Sequence, residues 1–322
     1  MEKRQWAVAV MVHCAWFVLM LFQIDRLDGK VHLPGPFFWI RQAIMVGGLL
    51  LLFAAAGLAA AATGVNPEHT RNVCLTALFA CVPVTLFLFP HSCATPAATR
   101  RAVLWTAWTS LIPFYGLIKP VRRQLTLFAL AFRAFDRADD RPRTLEWLFL
   151  HSVSGLAAVV GTLLLLAGSV PSSPGSVRPV RLMLALIPVI VNGFGDSLAR
   201  SIGAKFGRHT FRARALWYNG RCCSGQFTRS LEGTLCVLVS GALAVGTFRL
   251  FYTTTQFAVA MGALPLALAV VEAVSPVAWD GPIILAAGGA IVLLIERLLP
   301  GCGAQCPNRF SLFGIPYVSF GK

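Results

Sequence analysis

The chain has 322 residues, of which 57% are hydrophobic and only 13% are charged, and its mean hydropathy is +0.70. Soluble domains carry roughly 25% charged residues, so the composition excludes an ordinary soluble domain and indicates an integral membrane protein. The net charge is +15. Basic residues of membrane proteins collect in cytoplasmic loops and at anionic headgroups, and no nucleic-acid-binding motif occurs, so we expect no nucleic-acid partner.

Apolar runs of about membrane-spanning length recur along the whole chain. A bilayer core needs ~20 apolar residues in a helix. The first run lacks a signal-peptide cleavage site and is interpreted as a retained span. The sequence therefore predicts an all-α polytopic membrane protein with about nine transmembrane helices: Trp6–Ile24, Phe37–Ala62, Val73–Phe89, Ala102–Ile118, Leu145–Val170, Val180–Gly195, Leu231–Leu250, Thr255–Val271 and Pro282–Leu299.

The loops between these spans differ in basic charge, which predicts their orientation. With the N-terminus in the cytoplasm, the inside segments 2–4, 63–72, 119–143, 196–230 and 272–281 hold 17 Lys and Arg residues, and the outside segments hold 7. The remaining four lie near the outer ends of spans. Because Lys and Arg favour the cytoplasmic side, we predict a cytoplasmic N-terminus.

A basic, glycine-rich stretch separates the sixth predicted span from the seventh. Residues 192–234 contain seven Lys and Arg residues but only two acidic ones, Asp196 and Glu232. Together with Glu272 and Asp280 in the segment before the ninth span, this stretch falls on the predicted cytoplasmic face. A charged group near membrane depth is costly, so each of these carboxylates is a candidate functional residue.

The residue types in these segments suit phosphoryl transfer. That chemistry needs a divalent metal across the phosphates, cationic donors and a group that orients the hydroxyl. Asp196, Glu272 and Asp280 are oxygen ligands of the kind Mg²⁺ uses, which makes them the candidate catalytic residues, with Asp196 and Asp280 as the candidate metal ligands.

Other residues nearby could contact phosphate oxygens. Basic side chains would pair with them, glycines would allow close backbone approach, and the N–H groups at the start of the seventh span suit an anion. From the residues alone, a phosphate-handling site, a transporter with a basic cytoplasmic loop and a structural protein all stay open. The candidate nucleotide- and phosphate-binding residues are Gly195, Lys205, Arg208, Arg229, Ser230 and Gly233.

The motifs in residues 145–299 resemble those of the dolichol kinase and phytol kinase group of membrane lipid kinases. The group's G-D-x-x-A-x-x-x-G-x-x-F-G pattern is matched by residues 195–207, and its K-S-x-x-G-S element by residues 229–234, with Arg229 in place of Lys. The segment Glu272–Asp280 is similar to the group's E-x-x-S…D-N stretch, with Gly281 in place of Asn. His151 is similar in position to a histidine of the group's early element.

This resemblance implies transfer of the γ-phosphoryl group of a nucleoside triphosphate, CTP or ATP, with Mg²⁺, to a polyprenol-type lipid alcohol such as dolichol. In such a site Asp196 and Asp280 would hold metal or triphosphate, and Glu272 would bind metal or orient the hydroxyl. Arg229 and Lys205 would stabilise phosphate charge. The related CTP:phosphatidate cytidylyltransferases share part of the pattern, but their C-terminal signature does not occur here, which favours the kinase.

The apolar runs, the residue patterns between them and the extent of the resemblance together divide the chain into four parts. Residues 1–118 form a four-span region with no assigned role, and 119–143 a cytoplasmic amphipathic segment, interpreted as an interfacial helix or as a lid over the lipid. Residues 144–300 form the lipid-kinase-like core, and 301–322 a polar tail. The endoplasmic reticulum is the expected membrane, with plastid and bacterial inner membranes as alternatives.

Overall fold

The chain is largely helical throughout the part that a computed structural model describes. That part comprises residues 35–89, 96–169, 181–218, 221–275 and 279–299, together with residues 7, 10, 11, 13–18 and 21. The other residues of the first predicted span, Trp6–Ile24, and the tail 301–322 lie outside it. Apart from short 3-10 turns, its helices and strands are α1 (Pro36–Thr63), α2 (Pro67–Leu88), α3 (Pro96–Ser110), α4 (Pro113–Gly116), α5 (Lys119–Gln124), α6 (Thr126–Arg133), α7 (Thr144–Ser169), α8 (Met183–Phe206), β1 (Thr210–Tyr218), β2 (Arg221–Ser230), α9 (Leu231–Thr247), α10 (Thr254–Val274) and α11 (Asp280–Leu298).

Six of these helices are long and apolar enough to cross a membrane. They are α1, α2, α7, α8, α10 and α11, and α9 is apolar but has only 17 residues. The fourth predicted span is divided between α3 and the short α4. The fold class of a helical membrane protein is thus confirmed at the level of its long apolar helices.

The predicted end of the sixth span is wrong. The helix does not stop at Gly195 but continues through a π-helical turn, Val191–Gly195, to Phe206. Hydropathy falls at this point because Asp196 and Arg200 are charged, but the two side chains form an ion pair within the helix. A helix can extend through a polar sequence when its charges are paired in this way.

The segment after α8 also departs from an all-α prediction. Strands β1 and β2 form an antiparallel hairpin in which Thr210 pairs with Ser230. The hairpin leads directly into α9, so two paired strands connect α8 with α9. Its base therefore holds the last residues of β2 against the ends of α8 and α10.

The segments predicted for one membrane face meet at one end of the helical assembly, which we call the polar end. Arg71, near the start of α2, forms an ion pair with Asp140 in the segment before α7. Arg200 of α8 reaches Glu68 in the first turn of α2, and Arg229 of β2 reaches the backbone of Ser275 after α10. Four segments that are distant in sequence are therefore joined by polar contacts.

Close helix contacts depend on glycines that have no room for a side chain. A Cβ on Gly57 of α1 would lie 1.8 Å from the carbonyl oxygen of Leu130 in α6, and one on Gly289 of α11 would lie 2.0 Å from Thr162 Oγ1 in α7. Without a hydrophobic force between helices in lipid, such van der Waals packing is a main source of helix association. The contact at Gly57 also shows how the segment 119–143 is placed. This segment contains two short helices, α5 and α6, and α6 packs on α1.

Candidate functional site

A buried cluster of four carboxylates and two arginines lies at the polar end. We call it the charge cluster. Its carboxylates come from the starts of α2 and α11, the middle of α8 and the last turn of α10, and its arginines come from α8 and β2. Its members are Glu68, Asp196, Arg200, Arg229, Glu272 and Asp280.

Local sequence signals place the two carboxylates that begin helices. Asn66 caps α2, because its side chain accepts a hydrogen bond of 2.9 Å from the Glu68 N–H, and Pro67 occupies the first turn. Asp280 is the first residue of α11, and its Oδ1 accepts a hydrogen bond of 2.9 Å from the N–H of Gly281. Acidic side chains at helix N-termini are favoured by the helix dipole, which partly offsets their burial.

Arg200 is the central cation of the charge cluster. Its Nη1 lies 2.5 Å from Glu68 Oε1, while its Nη2 lies 2.7 Å from Asp280 Oδ2 and 3.0 Å from Asp196 Oδ2. One guanidinium group therefore joins α2, α8 and α11. The planar, always protonated fork of arginine suits such a multiple contact better than lysine does.

Arg229 joins the other half of the charge cluster. Its guanidinium forms an ion pair with Glu272, lies 3.5 Å from Asp280 Oδ2, and donates a hydrogen bond of 3.2 Å to the carbonyl oxygen of Ser275. Glu272 is also 3.4 Å from the hydroxyl of Thr234 in α9. Burial lowers the pKa of Arg229 and the nearby Asp280 and Asp196 oppose that change, so arginine keeps its charge at neutral pH.

The charge cluster contains more acid than base. Four carboxylates face two arginines, and the only further cation with a described ion pair to them is Arg137, whose Nη2 lies 3.9 Å from Glu68. Asp196 is 4% exposed, and its Oδ1 has no hydrogen-bond partner among the described residues. A buried carboxylate oxygen without a partner is costly, and a catalytic role or a bound ion is one explanation of such an exception.

Three predicted phosphate-binding residues have structural contacts in this arrangement. Ser230 caps α9 by accepting a hydrogen bond of 3.1 Å from the N–H of Gly233. A Cβ on Gly233 would lie 2.8 Å from the carbonyl oxygen of Ala199 in α8, and one on Gly195 would lie 3.2 Å from Ser240 Cβ in α9. These residues bring α8 and α9 close together, which holds Asp196 and Arg229 in the same site.

Lys205 and Arg208 lie at the rim rather than in the charge cluster. Both side chains are exposed near the end of α8, and the Lys205 ammonium lies 5.4 Å from the Phe206 ring. Glu232, the second acid of this stretch, accepts hydrogen bonds from the backbone N–H groups of Arg208 and His209. It therefore fixes the turn between α8 and the hairpin.

His151 and Asn192 adjoin the charge cluster at Gly281. A Cβ on Gly281 would lie 2.7 Å from His151 Cε1 and 2.8 Å from Asn192 Oδ1. Asn192 lies in the π-helical turn one turn before Asp196 and is 7% exposed. An imidazole and an amide therefore fill the space beside Gly281, next to Asp280.

Two carboxylates of the charge cluster are placed so that both contact one cationic nitrogen. Among the described residues, no group of three His, Cys, Asp or Glu residues is arranged to hold a metal. Magnesium is usually bound by one or two carboxylates together with substrate phosphates. Asp196 and Asp280 are two such carboxylates, since both contact the same nitrogen of Arg200 and Asp196 Oδ1 has no hydrogen-bond partner among the described residues.

Two members of the charge cluster were not assigned a role from the sequence. Arg200 was counted only as one of several basic residues, although its position four residues after Asp196 in a helix would have placed them on one face. Glu68 belongs to the N-terminal region, 132 residues away from Arg200 in sequence. No local pattern could have found it, because the contact exists only in the folded chain.

Comparisons of this chain with protein-family models, curated proteins and solved structures find no match. The resemblance to membrane lipid kinases therefore depends on the sequence motifs alone.

Proposed function

We propose that the protein is a lipid alcohol kinase that transfers the γ-phosphoryl group of a nucleoside triphosphate, by resemblance CTP, to a polyprenol-type alcohol at the membrane surface. The observation that carries this proposal is the charge cluster, in which Asp196, Glu272 and Asp280 lie together with Arg229. A lipid tail could remain in the bilayer while its hydroxyl group meets a water-soluble nucleotide at the polar end.

The excess of acid over base in the charge cluster supports a cation-dependent reaction. Mg²⁺, when bound, would neutralise charge on the phosphates. Asp196 and Asp280 would hold it, and Arg229 would contact a phosphate oxygen while it keeps its ion pair with Glu272. Lys205 and Arg208 at the rim would attract the anionic nucleotide over a longer range.

Glu272 is suited to orient the lipid hydroxyl. It lies in the last turn of α10, where it is 3% exposed, and is held by Arg229 and Thr234. In the proposed step, the hydroxyl oxygen bonds to the γ-phosphorus as the bond to the nucleoside diphosphate breaks, and the hydroxyl proton passes to the carboxylate. A fixed base is needed for this step, and two contacts restrict the side chain.

The proposal includes the topology that the loop charges predict. We propose nine spans with the N-terminus in the cytoplasm. The polar end then lies on the cytoplasmic side, where the nucleotide is found. The endoplasmic reticulum is the proposed membrane.

The direct test uses purified protein in detergent with Mg²⁺, labelled CTP or ATP, and dolichol, farnesol, phytol or diacylglycerol in turn. We expect a phosphorylated lipid and a nucleoside diphosphate. If none of the alcohols is phosphorylated with either nucleotide, the kinase proposal is wrong. Labelled CDP-lipid from phosphatidate with release of pyrophosphate would instead identify a cytidylyltransferase, and substrate flux in liposomes that persists in Asp196→Asn would identify a transporter.

A further inference from the structure

Arg200 contacts the charge cluster through two nitrogens that have separate partners. Through Nη1 it contacts Glu68 at 2.5 Å, and through Nη2 it contacts Asp280 at 2.7 Å and Asp196 at 3.0 Å. Its side chain is 25% exposed, whereas those of Asp196 and Asp280 are 6% and 3% exposed. The arginine side chain is therefore more exposed than the two carboxylates that it contacts.

We propose that Arg200 is an internal counter-cation that occupies the divalent-cation position between Asp196 and Asp280 and withdraws toward Glu68 when the cation binds. The inference deepens the proposed function and relies on it for the identity of the cation as magnesium. The inference adds that the affinity for the metal depends on Arg200 and on Glu68, a residue of the N-terminal region.

The contacts of a single atom define the shared position. The Nη2 atom of Arg200 is within hydrogen-bonding distance of an oxygen from each aspartate, so the two carboxylates already face one point. The guanidinium contacts only Oδ2 of Asp196, and Oδ1 is buried with no hydrogen-bond partner in the part of the chain that the structure describes. A divalent cation accepts several oxygen ligands, so it would use an oxygen that the arginine leaves unused.

The Glu68 contact gives Arg200 an alternative partner. Loss of the Nη2 contacts would not leave the guanidinium unpaired, because Nη1 would still be bound to Glu68. Without a metal, the arginine limits repulsion between the two aspartates, since like charges in a buried site are unfavourable. Metal binding thus replaces one counter-cation with another, and its affinity reflects the difference.

The test measures Mn²⁺ binding to the purified full-length protein in detergent, without nucleotide or lipid, from the electron paramagnetic resonance signal of free Mn²⁺. Arg200→Ala and the more conservative Arg200→Gln should bind Mn²⁺ at least about tenfold more tightly than the unmodified protein, because the competitor is gone. Adding Asp280→Asn to either variant should abolish the gain. Unchanged or weaker binding in both Arg200 variants would overturn the inference.

Two controls separate competition from a general charge effect. Arg297→Ala removes one exposed positive charge at the far end of α11 and should leave Mn²⁺ affinity unchanged. Glu68→Gln should weaken Mn²⁺ binding about threefold in the unmodified protein, but have almost no effect in the Arg200→Ala background. A similar weakening in both backgrounds would indicate simple electrostatic attraction and refute the proposed exchange.

The thermal stability of the same variants gives a second measurement. Mn²⁺ should raise the unfolding temperature of Arg200→Gln more than that of the unmodified protein, even if Arg200→Ala folds poorly. None of these measurements depends on turnover. If the Arg200 variants bind Mn²⁺ more tightly but no lipid is phosphorylated, the inference holds and the kinase proposal is wrong. If a lipid is phosphorylated but the Arg200 variants show no gain in Mn²⁺ affinity, the kinase proposal holds and the inference is wrong.

Discussion

The two ends of the helical assembly each contain a buried carboxylate paired with arginine, but they differ in how completely the charges are matched. At the polar end, four carboxylates share two central arginines and Asp196 Oδ1 has no partner. At the opposite end, Glu296 of α11 has both oxygens engaged. Its Oε2 lies 3.3 Å from Arg181 Nη1, and its Oε1 accepts a hydrogen bond of 3.1 Å from Gln256 Nε2.

The residues around Glu296 complete helix ends. Gln256 takes part in a capping box with Thr253 at the start of α10, and its amide also donates a hydrogen bond of 2.6 Å to the carbonyl oxygen of Leu299 after α11. One acid is balanced by one base, and the carboxylate is fully used. Burial and the charge of Glu296 raise the pKa of Tyr252, so this neighbour stays neutral.

Because both ends contain a buried ion pair, burial of an ion pair does not by itself indicate a functional site. A matched pair with satisfied oxygens can be explained by the packing of α10 against α11. An excess of acid with an unused oxygen cannot, because it destabilises the protein unless a ligand compensates it. The comparison predicts opposite responses to neutralising one carboxylate at each end.

The largest effect is expected from Asp196→Asn. It should lower lipid phosphorylation at least ~100-fold, because a metal and phosphate site loses its buried charge. It should change the unfolding temperature by less than about 3 °C, equivalent to ~1 kcal/mol, since Arg200 keeps two other carboxylate partners. Labelled-nucleotide turnover and a thermal unfolding curve on the same preparation provide the measurement.

Glu296→Gln is the matched variant at the opposite end. It should retain normal turnover and lose ~1–3 kcal/mol of stability, because Arg181 loses its buried partner. If Glu296→Gln abolished activity while Asp196→Asn left it intact, the roles given to the two ends would be reversed.

Arg229→Ala should lower both lipid phosphorylation and the stability of the protein. It removes a phosphate-binding cation and also leaves Glu272 buried without its ion pair, which costs ~3–5 kcal/mol. The double variant Arg229→Ala/Glu272→Gln should recover much of the stability while staying inactive. Thermal unfolding and turnover of the four proteins form a double-mutant cycle. Additive stability losses would contradict a direct pairing of the two residues.

Gly281→Ala tests the crowded position next to Asp280. The added methyl group would lie 2.7 Å from His151 Cε1 and 2.8 Å from Asn192 Oδ1, so we expect ~1–3 kcal/mol of destabilisation from overpacking. Asn192→Ala should relieve part of that loss in the double variant. Gly262→Ala, where the added Cβ meets nothing within 4 Å, is the control and should leave stability nearly unchanged or slightly higher.

Hydropathy and loop charge were sufficient to predict a helical membrane protein and the four segments that meet at the polar end. They failed where polar residues are paired within the fold. The charges of Asp196 and Arg200 predicted the end of a span, whereas their ion pair allows α8 to continue to Phe206. The hairpin was missed because the length and composition of spans say nothing about the segments that connect them.

The sequence predicted only those residues of the candidate site that belong to local motifs. Asp196, Glu272, Asp280 and Arg229 carry the motif resemblance, and the structure brings them together. Glu68 could not be found, because its role depends on a contact between α2 and α8 that no local pattern encodes. Ser230 was predicted to bind phosphate because it begins a helix, but its hydroxyl accepts from that helix's own N–H group.

The smallest effect is expected from Lys205→Ala. The side chain is exposed at the rim and makes no described ion pair, so its attraction to a nucleotide acts through water and is screened by salt. An exposed charge contributes ~0.2–1 kcal/mol, which corresponds to a KM for nucleotide raised by about 1.5- to 5-fold, with kcat nearly unchanged. The increase should shrink at high ionic strength, whereas the defect of Asp196→Asn should persist. A salt-independent loss of kcat in Lys205→Ala would place this lysine at the reacting phosphates and extend the site from the charge cluster to the end of α8.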